Sequence, residues 1–242
     1  MGATAMPEHM AFRKAKTDLL YAHERNTSLA SPFLDALPVR GAALSVLVGA
    51  IGQSTICSSD LTAARLDELQ FDLGEGPCWD AASSRRPVLH PRLRATGSAS
   101  WPLFTRAVHD DPLGESVEAV FAFPLYVGSL DIGAVDLYSS STTPLESTQV
   151  GYATELATLA SWQVLRRMLS EQDSEQPEQP GANNRREVHQ ATGMVLAQLG
   201  ISADDAALLL RAHAFSSGRS VAEVANDIVE RRLDFGPDSN RQ

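Results

Sequence analysis

Val117-Glu-Ala-Val-Phe-Ala-Phe-Pro-Leu-Tyr-Val127 and Ile132-Gly-Ala-Val-Asp-Leu-Tyr138 read as two strands, and Gly128-Ser-Leu-Asp131 between them reads as a tight turn. Both runs are rich in β-branched and aromatic residues, and a connection this short joins antiparallel neighbours. Working outward, strand-like runs recur at residues 42–48, 54–57 and 87–90, with Gly49 and Gly52 marking a first hairpin. Segments 11–24, 33–37, 60–69 and 101–109 read as helices, the second stopped by Pro38. Strands separated by helices and closed by antiparallel hairpins predict an α+β domain over residues 11–170.

That domain ends in a long helix beginning near Glu146. Val150, Ala153, Ala157, Ala160 and Val164 recur at alternating spacings of three and four, as at a helix–helix seam, while Leu156, Leu159 and Trp162 point elsewhere. The expectation is one face on the domain's own sheet and the other on a second copy of the chain, giving a homodimer. Residues 171–182 contain nothing apolar larger than alanine or proline and read as a solvated linker.

Residues 183–235 form a module with clear punctuation. A first helix over 185–199 ends at Gly200, a second opens at the N-cap Ser202 and stops at Gly218, and a third opens with Ser220-Val-Ala-Glu223 and stops before Gly236-Pro237. Val188, Ala191, Val195 and Leu199, then Leu209, Leu210 and Ala214, then Val221, Val224, Ala225 and Ile228 lie at helical spacings and predict a shared small core.

Composition narrows the function classes. No apolar run in the 242 residues approaches the roughly 20 needed to cross a bilayer, and the N-terminal stretch lacks a signal-peptide core, so a cytoplasmic protein is expected. The net charge of −10 argues against nonspecific nucleic-acid binding. Cys57 and Cys78 match no zinc spacing and read as buried thiols. The chain lacks the phosphate-loop, dinucleotide, HExxH and GxSxG motifs, so no catalytic residue and no metal site are assigned and an enzyme is not expected.

His189-Gln-Ala-Thr-Gly-Met194, Leu199-Gly-Ile-Ser202, Leu209-Leu-Arg-Ala-His-Ala214, Gly218-Arg-Ser220 and Val224-Ala225 together resemble the ANTAR domain family over essentially the whole module. The resemblance implies a three-helix domain that binds paired hairpin loops in nascent RNA and prevents transcription termination, as a dimer controlled by an attached sensor. Thr192 departs from the lysine that many members carry there. With six arginines against seven acidic residues the module is about neutral, so RNA binding has to come from a local cluster. The candidates are Arg185, Arg186, Gln190, Thr192, Arg211 and Arg219, with His189 and His213 as polar or stacking groups. Each has a structural alternative: Arg211 paired with Asp227, Arg219 solvating its turn, Gly193 allowing close helix approach, His213 inside the core.

Leu37-Pro-Val-Arg-Gly-Ala-Ala-Leu-Ser45, Gly74-Glu-Gly-Pro-Cys-Trp-Asp-Ala81, Pro87-Val-Leu89 and the strand pair quoted first resemble the GAF family. That implies a ligand sensor with a central antiparallel sheet flanked by helices and a pocket over one face. GAF followed by ANTAR resembles the order in actinobacterial regulators. The Gly74 turn delivers Cys78 and Trp79 to the start of a short helix, so Glu75, Cys78, Trp79, Trp101 and Phe121 are the candidate ligand residues; the aromatic ones read equally as core. Neither cysteine has a histidine beside it for a chromophore, and His90 and His109 are isolated, against haem. No cofactor is therefore identified, and an unnamed small molecule is expected in the sensor. The competing readings are a protein-binding adaptor and a phosphorylation-dependent response regulator, the latter opposed by the lack of any lysine beyond Lys14 and Lys16.

Overall fold

The structure is a computed structural model that describes residues 5–47, 54–172 and 182–235, with side chains at 6–47, 54–170 and 187–235. The chain divides into two compact units, described in turn. The first hairpin expected at Gly49 and Gly52, most of the linker, and Gly236-Pro237 lie outside the described residues.

The N-terminal unit runs α1 (Ala5–Leu20), α2 (Ala22–Arg25), α3 (Ser31–Ala36), β1 (Gly41–Val46), β2 (Ser54–Ser58), α4 (Leu61–Leu73), α5 (Pro77–Ser84), β3 (Val88–His90), α6 (Leu93–Thr96), α7 (Pro102–Asp110), a 3₁₀ turn (Pro112–Ser116), β4 (Ala119–Val127), β5 (Leu130–Ser139) and α8 (Ser147–Gln172). Five strands form one sheet in the order β2-β1-β5-β4-β3, every neighbour antiparallel. The α+β expectation holds, and the hairpin quoted first is its centre. Its turn is tighter than the sequence reading: β5 begins at Leu130, leaving Gly128 and Ser129 between the strands, with Gly128 at φ +60. Such a two-residue connection needs positive φ, which glycine supplies without steric cost.

The two faces of the sheet differ. Leu44 and Val46 on β1, Phe121, Phe123 and Leu125 on β4, and Val135 and Leu137 on β5 are all buried in one cluster with residues of α1, α3 and α8. Fully burying a side chain of this size contributes roughly 1.5–3 kcal/mol, so this face carries most of the unit's hydrophobic stabilisation. The opposite face is made of small or polar groups. Ala43 pairs with Asp136, Asp136 with Ala122, and Ser45 with Ala134, all of them across strands and therefore on one side. Helices α4 and α5 cover it.

The seam expected to meet a second copy is used within the unit. Ala153, Leu156, Ala157, Ala160 and Val164 are buried against the sheet and the N-terminal helices. Phe12 of α1 stacks on Tyr152 with ring centroids 3.9 Å apart, and Gln163 donates to the Leu20 carbonyl at 3.2 Å. The physical reason is that α1 begins at Ala5, six residues before the sequence reading placed it, and is long enough to cover that face. Trp162, 52% exposed, and Leu169, 56%, are large apolar residues of α8 that face solvent.

The C-terminal unit is α9 (Ala182–Leu199), α10 (Ala203–Ser217) and α11 (Val221–Val229). Its punctuation follows the sequence closely. The Ser202 hydroxyl accepts from the Asp205 amide, Gly218 takes the left-handed C-cap at φ +65, and Ser220 with Glu223 closes a capping box in both directions. Ala191, Val195, Ala206, Leu210, Ala214, Val224, Ala225 and Ile228 fill the core. One boundary differs: α11 stops at Val229, well before Gly236. Arg231 has φ +58, and the Asp227 carbonyl accepts from both Arg232 and Leu233 amides, so a local turn ends the helix that the apolar pattern had extended.

Candidate functional site

Between the small-residue face of the sheet and helices α4 and α5 lies a polar interior that the sequence reading did not identify. Asp67 of α4 is fully buried. It accepts from the Ser45 hydroxyl of β1 at 2.6 Å and from the Thr55 hydroxyl of β2, tying the helix to two strands. Gln70, one turn on and 1% exposed, accepts the Cys78 amide at 2.9 Å, while its carbonyl accepts the Trp79 indole at 2.9 Å. Gly76 is required here: at φ +142, a Cβ on it would lie 2.5 Å from the Gln70 side chain. Beside them the carboxylate oxygens of Asp136 of β5 are enclosed, and neither makes a hydrogen bond of good geometry. A small void of about 10 Å³ adjoins it, lined by Ala63, Leu66, Gln70, Pro77 and Phe104 among others. Such a void is close to the least that holds a single water molecule.

Burial, and then the nearby Asp67 charge, hold the Asp136 carboxyl well above the ordinary carboxylate range, with the Gln70 side chain acting the other way. A folded-state value raised above the unfolded one means that folding retains a proton. Stability from this group is therefore fullest below the ordinary carboxylate range and is lost as pH rises from that range toward the raised value. Asp136→Asn removes the titration with little change of shape. It is expected to stabilise the unit by about 1–2 kcal/mol near pH 8, with the gain shrinking toward pH 4. Urea unfolding across that range checks it, and a gain independent of pH would show that ionisation is not the cause.

The residues singled out in the sequence take other roles. Glu75 accepts the Phe104 amide at 2.8 Å and so caps the first turn of α7. Cys78 is completely buried, and burial pushes its thiol well up. Trp79 meets Phe71 edge to face. Trp101 is 5% exposed and donates its indole N–H to Asp80 at 2.8 Å. Phe121 lies in the apolar cluster with α1, α3 and α8, on the opposite side of the sheet from Asp136. These five have packing and capping contacts within the unit. Cys57, read as buried, is only partly so, and burial raises its thiol too. Among the described residues no cluster of three or more His, Cys, Asp or Glu side chains is placed to hold a metal ion.

In the C-terminal unit, His189 and Gln190 are exposed on α9, while the Thr192 hydroxyl is turned back to the Val188 carbonyl at 2.7 Å. The side chains of Arg185 and Arg186 lie outside those described. Arg219 pairs with Asp227 at 2.7 Å and donates to the Glu223 carbonyl at 3.1 Å, so the carboxylate suggested for Arg211 is taken by Arg219, and by Arg232 at 2.7 Å. These two arginines, Arg232 first, hold the Asp227 carboxyl below its ordinary range. His213, partly buried, meets Phe235 edge to face at 5.3 Å. Gly193 departs from the sequence reading: among the described residues nothing lies within 4 Å of a Cβ built there, so no described helix approaches it closely. Gln190, Gly193 and Ala197 form an open, small-residue face on α9 opposite Ala191 and Val195. Phe215 of α10, unremarked in the sequence, is 64% exposed, one turn beyond Arg211.

Comparison with known proteins places both units. Residues 30–162 match the family model described as GAF domain, and residues 181–229 match that described as ANTAR domain. The structure is similar to the GAF domain from a phosphoenolpyruvate-protein phosphotransferase of Coxiella burnetii, at 14% identity and TM-score 0.56, covering 70% of this chain and 99% of that one. It is also similar to the GAF domain of the corresponding Acinetobacter protein, at 10% identity and TM-score 0.49, covering 70% and 97%. No curated protein matches the chain.

Proposed function

Because the chain belongs to the GAF domain family and carries an ANTAR domain behind it, we propose that it is a sensor-coupled antitermination regulator that binds paired hairpin loops in nascent RNA as a homodimer, under control of a small molecule at the GAF domain. Sensor and regulatory domains are present in that order, and neither domain type is catalytic. The observation that carries the RNA reading is the ANTAR match over residues 181–229, set on a module whose α9 presents Gln190 and Gly193 outward. A glycine inside a helix costs about 1 kcal/mol relative to alanine. At Gly193 no packing among the described residues offsets that, and close approach of a nucleic-acid backbone would. Exposed His189 and Phe215, with half-buried Arg211, supply polar, stacking and charged groups for unpaired bases.

No single helix among the described residues is long and apolar enough to span a membrane, which accords with a regulator that meets transcripts in the cytoplasm. Dimerisation rests on avidity: a module of neutral charge gains affinity when two copies engage two loops. Trp162 and Leu169 of α8 are exposed apolar anchors for that association.

The purified chain is expected to retain an RNA carrying two hexaloop hairpins on a filter at physiological salt and to release a scrambled RNA of equal length. Equal retention of both RNAs would refute the reading. Salt dependence should be shallow, since few arginines contact phosphate. A protein-binding adaptor is the second reading, favoured by one observation: Leu208 and Phe215 leave α10 with an apolar exposed face, at 62% and 64%. A receiver-type response regulator is disfavoured by the fold, because that architecture needs a parallel doubly wound sheet and this sheet is wholly antiparallel.

A further inference from the structure

In residues 206–215 of α10 only Arg211 and His213 are not apolar. A helix that packs by one face on a small core ordinarily keeps polar residues on the other. Here Ala206, Leu210 and Ala214 are buried with residues of α9 and α11, while Leu208, Ala212 and Phe215 are all exposed. Their spacing of four and then three residues keeps those three on one stripe, turned directly away from the core. The helix therefore carries a second apolar face that the module itself does not cover.

The two ends of that face are opposite in charge. Asp204 and Asp205 stand in the first turn of α10, and Arg219 follows its C-cap Gly218. One terminal nitrogen of Arg219 bonds Asp227, and a guanidinium has further N–H donors. A two-fold axis crossing the helix between Arg211 and Ala212 sets Leu208 of each copy against Phe215 of the other, because the two residues are equally far from it. The same operation brings the acidic end of each helix to the Arg219 end of the other. Parallel pairing would instead put acid on acid, and a bound RNA would bring phosphates to Asp204 and Asp205. Ala212, small and beside the axis, lets the two helices approach closely. Spacing and charge together fit a second copy of the same helix, run antiparallel.

We propose that α10 is a self-association surface: the two C-terminal modules of a homodimer pair through this helix, antiparallel, with Leu208 of each copy on Phe215 of the other. The proposal rests on the homodimer reading above and adds the contact between modules. Of the two uses named for Phe215, stacking on a base and covering a protein surface, it takes the second and leaves base contact to α9. A seam of two 15-residue helices is small beside the roughly 1,200–2,000 Å² of a stable interface. It therefore closes only between modules that association elsewhere in the chain already holds near each other. Once closed, it fixes the distance between the two outward α9 faces, and so the spacing of the two loops they would read.

Cross-linking of the full chain with a short bismaleimide tests the idea, in a Cys57→Ser background that leaves the completely buried Cys78 as the remaining native thiol. Ala212→Cys, beside the axis, is expected to give about fivefold or more cross-linked dimer than Ser216→Cys, whose two copies end about 13 Å apart along the helices. Adding Leu208→Asp, an exposed change that leaves the core intact, should bring the Ala212→Cys yield down to the Ser216→Cys level. Hairpin RNA should leave the yield undiminished. No cross-link at residue 212, equal yields at 212 and 216, or indifference to Leu208→Asp would each overturn the proposal. Loss of the cross-link on adding RNA would give the face to RNA and overturn it as well. Sedimentation of the same preparation separates the two conclusions: a dimer without the cross-link sinks the α10 pairing alone, whereas a monomer sinks the homodimer reading along with it.

Discussion

Asp67→Ala is expected to destabilise the N-terminal unit by about 2–4 kcal/mol, the largest effect of any single polar change in it. Asp67 sits mid-helix in α4 with no exposure and accepts hydroxyls from Ser45 and Thr55 on two different strands. Truncation leaves both hydroxyls without that acceptor and opens space beneath the helix, so the unsatisfied-donor and cavity penalties act together. Urea unfolding monitored by tryptophan fluorescence measures it, since all three tryptophans belong to this unit. A loss under about 1 kcal/mol would show that Ser45 and Thr55 find other partners. Coupling provides a second check. Asp67 raises the Asp136 carboxyl, so the gain from Asp136→Asn should shrink when Asp67 is already alanine.

Leu210→Ala is expected to unfold the C-terminal unit while the N-terminal unit stays folded. Leu210 of α10 is completely buried among Ala191, Val195, Val224 and Ile228. A buried Leu→Ala change typically costs about 2–5 kcal/mol, and a core of about 50 residues rarely supplies more than about 3–5 kcal/mol in all. The removed packing is thus comparable with the whole stability of the module. Hydrogen exchange on the full chain should show α9, α10 and α11 fully exchanged and the five-stranded sheet still protected. RNA retention should vanish with them. Protected amides in α10 would mean that the module draws stability from outside its own core.

The C-terminal unit was legible in the chain because its signals are local. Ser202, Gly218, Ser220 and Glu223 act within four residues of themselves, and helical spacing marks Ala191, Val195 and Leu210 as core. At Arg231 a left-handed turn that no glycine or proline marks ends α11 earlier than the apolar pattern suggests. The central hairpin was equally legible, through the alternation around Gly128.

Tertiary structure decided the rest. Whether the α8 seam met a second copy or α1 depended on where α1 lay in space, and Phe12 and Tyr152 are 140 residues apart in sequence. Phe121 and Asp136 look alike as members of neighbouring strands, and only strand register assigns them to opposite faces of the sheet. That Glu75 accepts the Phe104 amide, 29 residues on, is likewise decided only by packing. The sequence by itself determined the helix caps, the antiparallel hairpin and the two domain types, because those are written in residues close along the chain. Burial, register and unmet hydrogen bonds arise between distant residues, so only the folded chain determines them.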